Sequence, residues 1–301
     1  MTAIGSAGPG ILECVINVSE GRDVACIRGL AEAAGPDLLD VHSDADHNRT
    51  VFTLAGADVD AAARRLAVEA VARIDIGDHR GAHPRLGVLD VVPWVHLVAG
   101  DGHRLHEGRA EVAVAARNRF AHWAAGRLGL PCFLYGPSVP AAGTQEAGHG
   151  RTLPGLRRDA WRVLSPDVGP ARPHPTAGAA CIGARPLLVA YNLWLANDDL
   201  RAARRIAADV RGPRLRTLGL QVGGDVQVAC NLIDPWSVGP AAAFDAVASR
   251  SAVARAELVG LLPLGVLDAI PSSRWLLLDV DASRTIEARL ERAGLEGGRF
   301  D

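Results

Sequence analysis

There is no lysine anywhere in the 301 residues, so every one of the 32 basic side chains other than histidine is an arginine. That absence excludes a Schiff-base lysine, pyridoxal phosphate chemistry and a P-loop, each of which needs an amine. Codon bias in a GC-rich genome, visible in the abundance of Ala, Gly and Arg, accounts for it without invoking function. An excess of one charge is also missing: the 32 basic residues face 34 acidic ones, leaving a net charge of -2. No global field exists to gather nucleic acid or an anionic membrane, and small-molecule ligands are the better match.

Cysteine is sparse, with Cys14, Cys26, Cys132, Cys181 and Cys230 widely spaced, odd in number and mostly set in apolar runs. This pattern argues for reduced, buried thiols in a cytoplasmic protein, against a disulfide framework or a zinc knuckle. Neither a basic leader followed by an apolar stretch nor an apolar run long enough to span a bilayer occurs, which predicts a soluble, unexported chain. With neither CxxC nor HExxH present, no metal site is expected.

What the chain does contain is alternation. Apolar extended runs at Leu12 to Val18, Leu38 to Val41, Thr50 to Ala55, Leu89 to Val98 and Cys132 to Tyr135 read as strands; Asp23 to Ala34, Asp58 to Ile74 and Glu107 to Leu128 read as helices. The order strand-helix-strand-strand-helix-strand is the ferredoxin-like split pattern, extended by one helix and one strand. Between Gly136 and Gly183 periodicity disappears and Gly, Pro and Arg accumulate, as in a domain linker or a ligand loop. A second half follows, with strands at Leu187 to Leu195, Leu215 to Val222, Asp225 to Leu232 and Glu257 to Leu262. Its helices are expected at Asp198 to Val210, Ala241 to Arg255 and near Arg284 to Ala293. The fold class is therefore α+β, with two α/β subdomains, residues 1–183 and 184–301, each a mixed sheet covered by helices.

Four clusters carry chemistry. His79 to Gly87, His-Arg-Gly-Ala-His-Pro-Arg-Leu-Gly, crowds two imidazoles and two guanidiniums into a stretch where Gly81 and Pro84 forbid a helix. His83 is its leading general acid or base, since an imidazole titrates near neutrality and Arg85 would bias it toward the neutral form. Gly81 removes the helix that would make the spacing of His79 and His83 a metal-ligand pair. The second cluster is Asp44-Ala45-Asp46-His47-Asn48-Arg49-Thr50, between two short strands. Asp and Asn there are also ordinary turn residues, but Arg49 at a strand edge suits bidentate recognition of a carboxylate, and Asp44 or Asp46 could orient an imidazole or receive a proton. In the third, Asn17 to Arg22, backbone amides and Arg22 could hold an anion near a helix start. The fourth, Gly169 to Gly178, sets Arg172 and His174 in a Pro-rich loop, where a linker and a ligand role are evenly matched.

Taken together, ECVINVSEGR from Glu13, DADHNRTVFTLAG from Asp44, HRGAHPRLGVLDVVPW from His79, FLYG from Phe133, PDVGP from Pro166, GAR from Gly183, QVACNL from Gln227 and ELVGLLP from Glu257 resemble the glutamate formiminotransferase (formimidoyltransferase) family, in the family's order across nearly the whole chain. No cyclodeaminase-like segment follows in these residues, so the resemblance is to the free-standing bacterial form. It implies a one-carbon transferase of two α/β subdomains, a cytoplasmic homodimer, moving a formimino unit between N-formimino-L-glutamate and tetrahydrofolate as co-substrate in histidine degradation. It implies His83 of the HPR motif as the catalytic acid/base. Substrate binding falls to Asp44, Asp46, His47, Asn48, Arg49, His79 and Arg85, and folate binding to Gly169, Pro170, Arg172, His174, Thr176 and Gly178. The family's pattern is broken at Ile16, where Pro is usual, at Arg158-Asp159-Ala160-Trp161, where Gly-Glu-Tyr-Glu is usual, and by a shortened connection after Arg211. Those departures leave two other readings open: a related transferase acting on another formimino or formyl donor such as formiminoglycine, and a folate-binding module without catalysis.

Overall fold

The computed structural model describes residues 10–81, 85–101, 104–137 and 150–294. In the first part of the chain, β1 (Ile11–Val18), α1 (Val24–Ala34), β2 (Leu38–Asp44), β3 (Arg49–Gly56), α2 (Val59–Arg73) and β4 (Leu89–Ala99) follow one another. Their strands lie in the order β2-β3-β1-β4, with β1 antiparallel to both β3 and β4. This is the split pattern that the alternation predicts. The short β5 (Leu105–Glu107), α3 (Ala110–Leu128), β6 (Cys132–Tyr135), α4 (Leu153–Asp159) and β7 (Ala180–Ala184) follow. The sheet grows beyond β4 through β7 and then β6, both parallel to their neighbours.

Burial explains the sequence of the middle strands. From Leu89 to Leu97 every residue of β4 is buried, as expected of a strand covered on both faces. One face packs on Leu30 of α1, Leu66 of α2 and Phe120 of α3. On the other, Val91, Phe133, Tyr135 and Cys181 form a smaller core closed by Leu156 of α4. The five cysteines are free and buried, and burial raises their thiols, those of Cys132 and Cys230 to about 12. Among the described residues no helix is long and apolar enough to cross a membrane.

The second part forms its own sheet from β8 (Val189–Leu195), α5 (Leu200–Val210), β9 (Leu215–Val222), β10 (Asp225–Leu232), α6 (Pro240–Ala248) and β11 (Val253–Val259), before α7 (Leu264–Asp268) and α8 (Ile286–Arg292). The order β11-β8-β10-β9 repeats the split arrangement, and Gly223-Gly224 closes a two-residue hairpin between Val222 and Asp225. Contacts divide the chain into one compact unit holding the described residues to Val98 and Glu107–Arg185, and another holding Ala99–His106 and the described residues from Pro186 onward.

Four expectations change. The second sheet is antiparallel throughout, where a mixed sheet was expected, because both of its helical connections place an antiparallel strand between the strands they join. The stretch without periodicity contains α4 and β7; β7, Ala-Cys-Ile-Gly-Ala, is short, wholly buried and made of small residues, so it has no alternation to read. The helix expected over Ala241 to Arg255 ends at Ala248, where Ser249 turns its hydroxyl onto the Ala246 carbonyl, and Val253 to Val259 pair with β8 as a strand. The helix expected from Glu107 starts at Ala110, because the Arg109 amide donates to His96 Nδ1 at 2.8 Å and fixes the first turn there.

Candidate active site

The strand directions bring the C-terminal ends of β1 and β2 and the N-terminal ends of β3 and β4 to one end of the first sheet. The clusters at Asp44, His79 and Arg85 meet there. Asp44 and Arg49 face each other across the β2-β3 hairpin, whose turn holds Ala45 to Asn48. Asn48 takes the left-handed backbone that asparagine tolerates (φ 48°). This aims its amide outward from the turn: Oδ1 accepts from the Gly21 amide at 2.9 Å, and Nδ2 donates to the Arg80 carbonyl at 3.2 Å. The turn is thereby sewn to the end of β1 and to the histidine-rich loop. Gly21 permits the contact, since a Cβ there would stand 2.2 Å from the Asp44 carbonyl oxygen.

Within this frame Asp44 holds His47. The carboxylate accepts the His47 amide at 2.8 Å and lies 2.7 Å from its Nδ1, with the ring buried. Burial alone would raise the Asp44 carboxyl, but the hydrogen bonds from His47 and the nearby Arg49 guanidinium hold it far below the usual carboxylate range. The carboxylate on Nδ1 fixes the orientation of the His47 ring. His79 sits beside it, with Nδ1 3.2 Å from the Ser19 carbonyl and Nε2 buried without a partner among the described residues. Burial, and then the Arg85 charge, lower its pKa and favour the neutral ring. Asp46 is exposed on the turn.

The arginines divide by what they touch. Arg85 is buried and donates to Asp90 at 3.0 Å, so it fixes the loop to the start of β4. Asp90 also accepts the Leu86 amide at 3.1 Å and a short bond from Arg157 of α4. Arg49 has no acceptor among the described residues, and its Nε is buried. Burial and the Arg85 charge lower its pKa to about 10, so it stays protonated at neutral pH. A guanidinium held in this way is prepared for an anion.

His83 lies outside the described residues, as do Ala82 and Pro84. The 169–178 loop is fastened at its far end to the same region. Gly178 (φ 68°) bridges Gly87, the Val88 amide donates to Ala177, and the Ile76 amide donates to Thr176. His174 Nδ1 accepts the Ala177 amide at 3.0 Å. At its near end Gly169 sits against Leu130, and Pro170 and Arg172 are exposed; no hydrogen bond or ion pair joins these three to Asp44, His47 or Arg49 among the described residues. The anion reading of Asn17 to Arg22 is corrected: the Arg22 and Asp23 amides bond Glu20, and the Ala25 and Cys26 amides bond Asp23, so the helix start is satisfied internally.

Asp90 and Arg157 are the site members the sequence reading passed over. A lone carboxylate inside the apolar run LDVVPWVHLVA is the signal that could have found the first, because a buried charge requires a partner.

One end of the ferredoxin-like sheet therefore carries two carboxylate- or carbonyl-anchored imidazoles beside a guanidinium that has no acceptor among the described residues, an arrangement suited to a small anion. The profile of the formiminotransferase domain, N-terminal subdomain, matches residues 11–185. Glutamate formimidoyltransferase of Streptococcus pyogenes serotype M1 is 38% identical over 214 residues, 67% of this chain and 68% of that protein. Glutamate formimidoyltransferase of Thermoplasma acidophilum is 29% identical over 94% of this chain and 98% of its own length. Formimidoyltransferase-cyclodeaminase of Sus scrofa is 34% identical over 93% of this chain but 56% of its own length, so the chain spans little more than half of that relative. The chain belongs to the formiminotransferase family.

Proposed function

We propose that this protein transfers a formimino unit between N-formimino-L-glutamate and tetrahydrofolate, with His83 as the proton-transfer group. The observation that carries the reading is the Arg49 guanidinium, which has no acceptor among the described residues, beside the Asp44–His47 pair within the 11–185 region that matches the formiminotransferase subdomain. A substrate carboxylate on Arg49 would place the formimino carbon among the imidazoles. A ring N–H of tetrahydrofolate then attacks that carbon, and a carbon–nitrogen bond forms. His83 takes the proton from the attacking nitrogen and returns it to the departing glutamate nitrogen as the second carbon–nitrogen bond breaks, so one imidazole serves both halves. Holding both reactants in one site removes the entropic cost of their encounter.

The 169–178 loop is assigned to folate, through Gly169, Pro170, Arg172, His174, Thr176 and Gly178, on the family resemblance; its attachment to Gly87 and Ile76 supports that role. A homodimer and a cytoplasmic location follow from the same resemblance. Replacing His83→Ala is expected to lower turnover by roughly 10²- to 10⁴-fold, the usual worth of a positioned acid/base, with unchanged thermal stability. Turnover within about threefold of the parent protein would remove His83 from the mechanism.

A further inference from the structure

The first sheet ends on β6, and the amides of an edge strand that face away from its neighbour must find acceptors elsewhere. Three of them do so outside the sheet. The Cys132 amide donates to the Val168 carbonyl at 2.8 Å, the Leu134 amide to Asp167 Oδ2 at 2.6 Å and the Gly136 amide to the Arg151 carbonyl at 2.9 Å. The middle acceptor is a side chain. Asp167, of the PDVGP motif, thus stands in for the peptide group that a neighbouring strand would supply, between two backbone bridges. Its carboxylate is held on both oxygens: Arg151 Nη1 donates to Oδ2 at 3.0 Å and Nη2 to Oδ1 at 2.8 Å, with the Asp167 side chain only 3% exposed.

This arrangement fixes the near end of the 169–178 loop. The Asp167 and Val168 amides both donate to the Cys132 carbonyl, and Gly169 follows in left-handed backbone (φ 94°), where a Cβ would stand 2.7 Å from the Leu130 carbonyl oxygen. From there residues 169–173 make no hydrogen bond or ion pair among the described residues, whereas Thr176, Ala177 and Gly178 fasten the far end. The course of the free stretch, Arg172 included, is therefore set by where Asp167 and Val168 release the chain.

We propose that Asp167 is a positioning residue for tetrahydrofolate: through Arg151 and the Leu134 amide it holds the start of the 169–178 loop in the shape that receives the folate, without touching the ligand itself. The inference rests on the folate reading of that loop and names the group on which its affinity depends. A loop already ordered at both ends loses less conformational freedom when the ligand arrives. Among the described residues Asp167 shares no hydrogen bond with Asp44, His47, Arg49 or Asp90, so loosening it acts on the folate and leaves the formimino donor alone.

The test is calorimetric binding of tetrahydrofolate to the wild-type protein, Asp167→Asn and Arg151→Lys, with KM for both substrates, kcat at saturation and thermal melting of each. Asp167→Asn keeps an oxygen for the Leu134 amide but removes the charge that Arg151 grips. Its Kd and KM for tetrahydrofolate should rise roughly 10-fold, the scale of one charge-assisted contact, with kcat and the donor KM within about twofold of the wild type. Arg151→Lys keeps the charge and loses the two-pronged geometry, so its rise should be smaller; it reads the same quantity where the Asn variant does not fold. A lower kcat with both KM values unchanged, or an equal rise in both, would make Asp167 a structural residue and overturn the proposal, as would an unchanged Kd in both variants. A wild type that binds no tetrahydrofolate would overturn the folate reading itself, an outcome distinct from the others.

Discussion

Asp90 shows what a single buried charge does here. It is fully buried, accepts from Arg85, Arg157 and the Leu86 amide, and so ties α4, the histidine-rich loop and the start of β4 to one carboxylate. Replacing Asp90→Asn would leave two guanidiniums facing each other without their counter-ion. Removing one member of a buried ion set costs about 3–5 kcal/mol, so urea denaturation should show a loss of that order; a change below about 1 kcal/mol would mean the arginines find other acceptors. At this scale much of the site was legible. Asp44, His47, Asn48, Arg49, His79 and Arg85 do converge, because their clusters flank strands whose ends meet at one end of the sheet. Asn48 unites the two readings of its cluster, since it is both the turn residue and the clasp between clusters. Arg85 differs from a pure substrate anchor in that its partner is Asp90, five residues on, a pairing that spacing alone did not single out. Arg157 sits in a helix of only seven residues within a Pro- and Gly-rich stretch, where nothing in the local pattern marks it above its neighbour Arg158.

Among the elements, α3 has the least ordinary start. Arg109 at its N-cap supplies no side-chain acceptor, and the imidazole of His96 on β4 takes the Arg109 amide instead. Burial, and then Arg109, push the His96 pKa below its usual value. A base whose folded pKa is depressed contributes stability in full above its unfolded value, about 6.5, and loses it as pH falls from there through the folded value, because the unfolded chain takes up the proton first. His79 is depressed in the same direction. The thermal midpoint should therefore fall between pH 7.5 and pH 5. His96→Asn, whose Oδ1 can accept the same amide without titrating, should flatten part of that slope; an identical slope in both proteins would assign the pH response elsewhere. The helix boundary is a matter of physics the sequence shows poorly, since the capping imidazole is thirteen residues away from the N-cap residue whose amide it accepts. The same holds for β7, whose place between β4 and β6 depends on small buried residues that carry no period.

For the molecule as a whole, both sheets follow the split order, β2-β3-β1-β4 with two added strands and β11-β8-β10-β9 alone. The strand and helix alternation made that legible, because each unit repeats one supersecondary pattern with clear periods. What it left open was sheet direction in the second unit and the strands added to the first, both set by pairing between distant segments. The first unit carries the charged site, and the formiminotransferase match covers the same residues. The most direct measurement is the initial rate at which the wild-type protein forms formimino-tetrahydrofolate from tetrahydrofolate and each member of a panel of formimino and formyl amino acids. Saturable transfer is expected with N-formimino-L-glutamate as the best donor. Folate binding without transfer from any donor, or a clear preference for a formyl donor, would contradict the account.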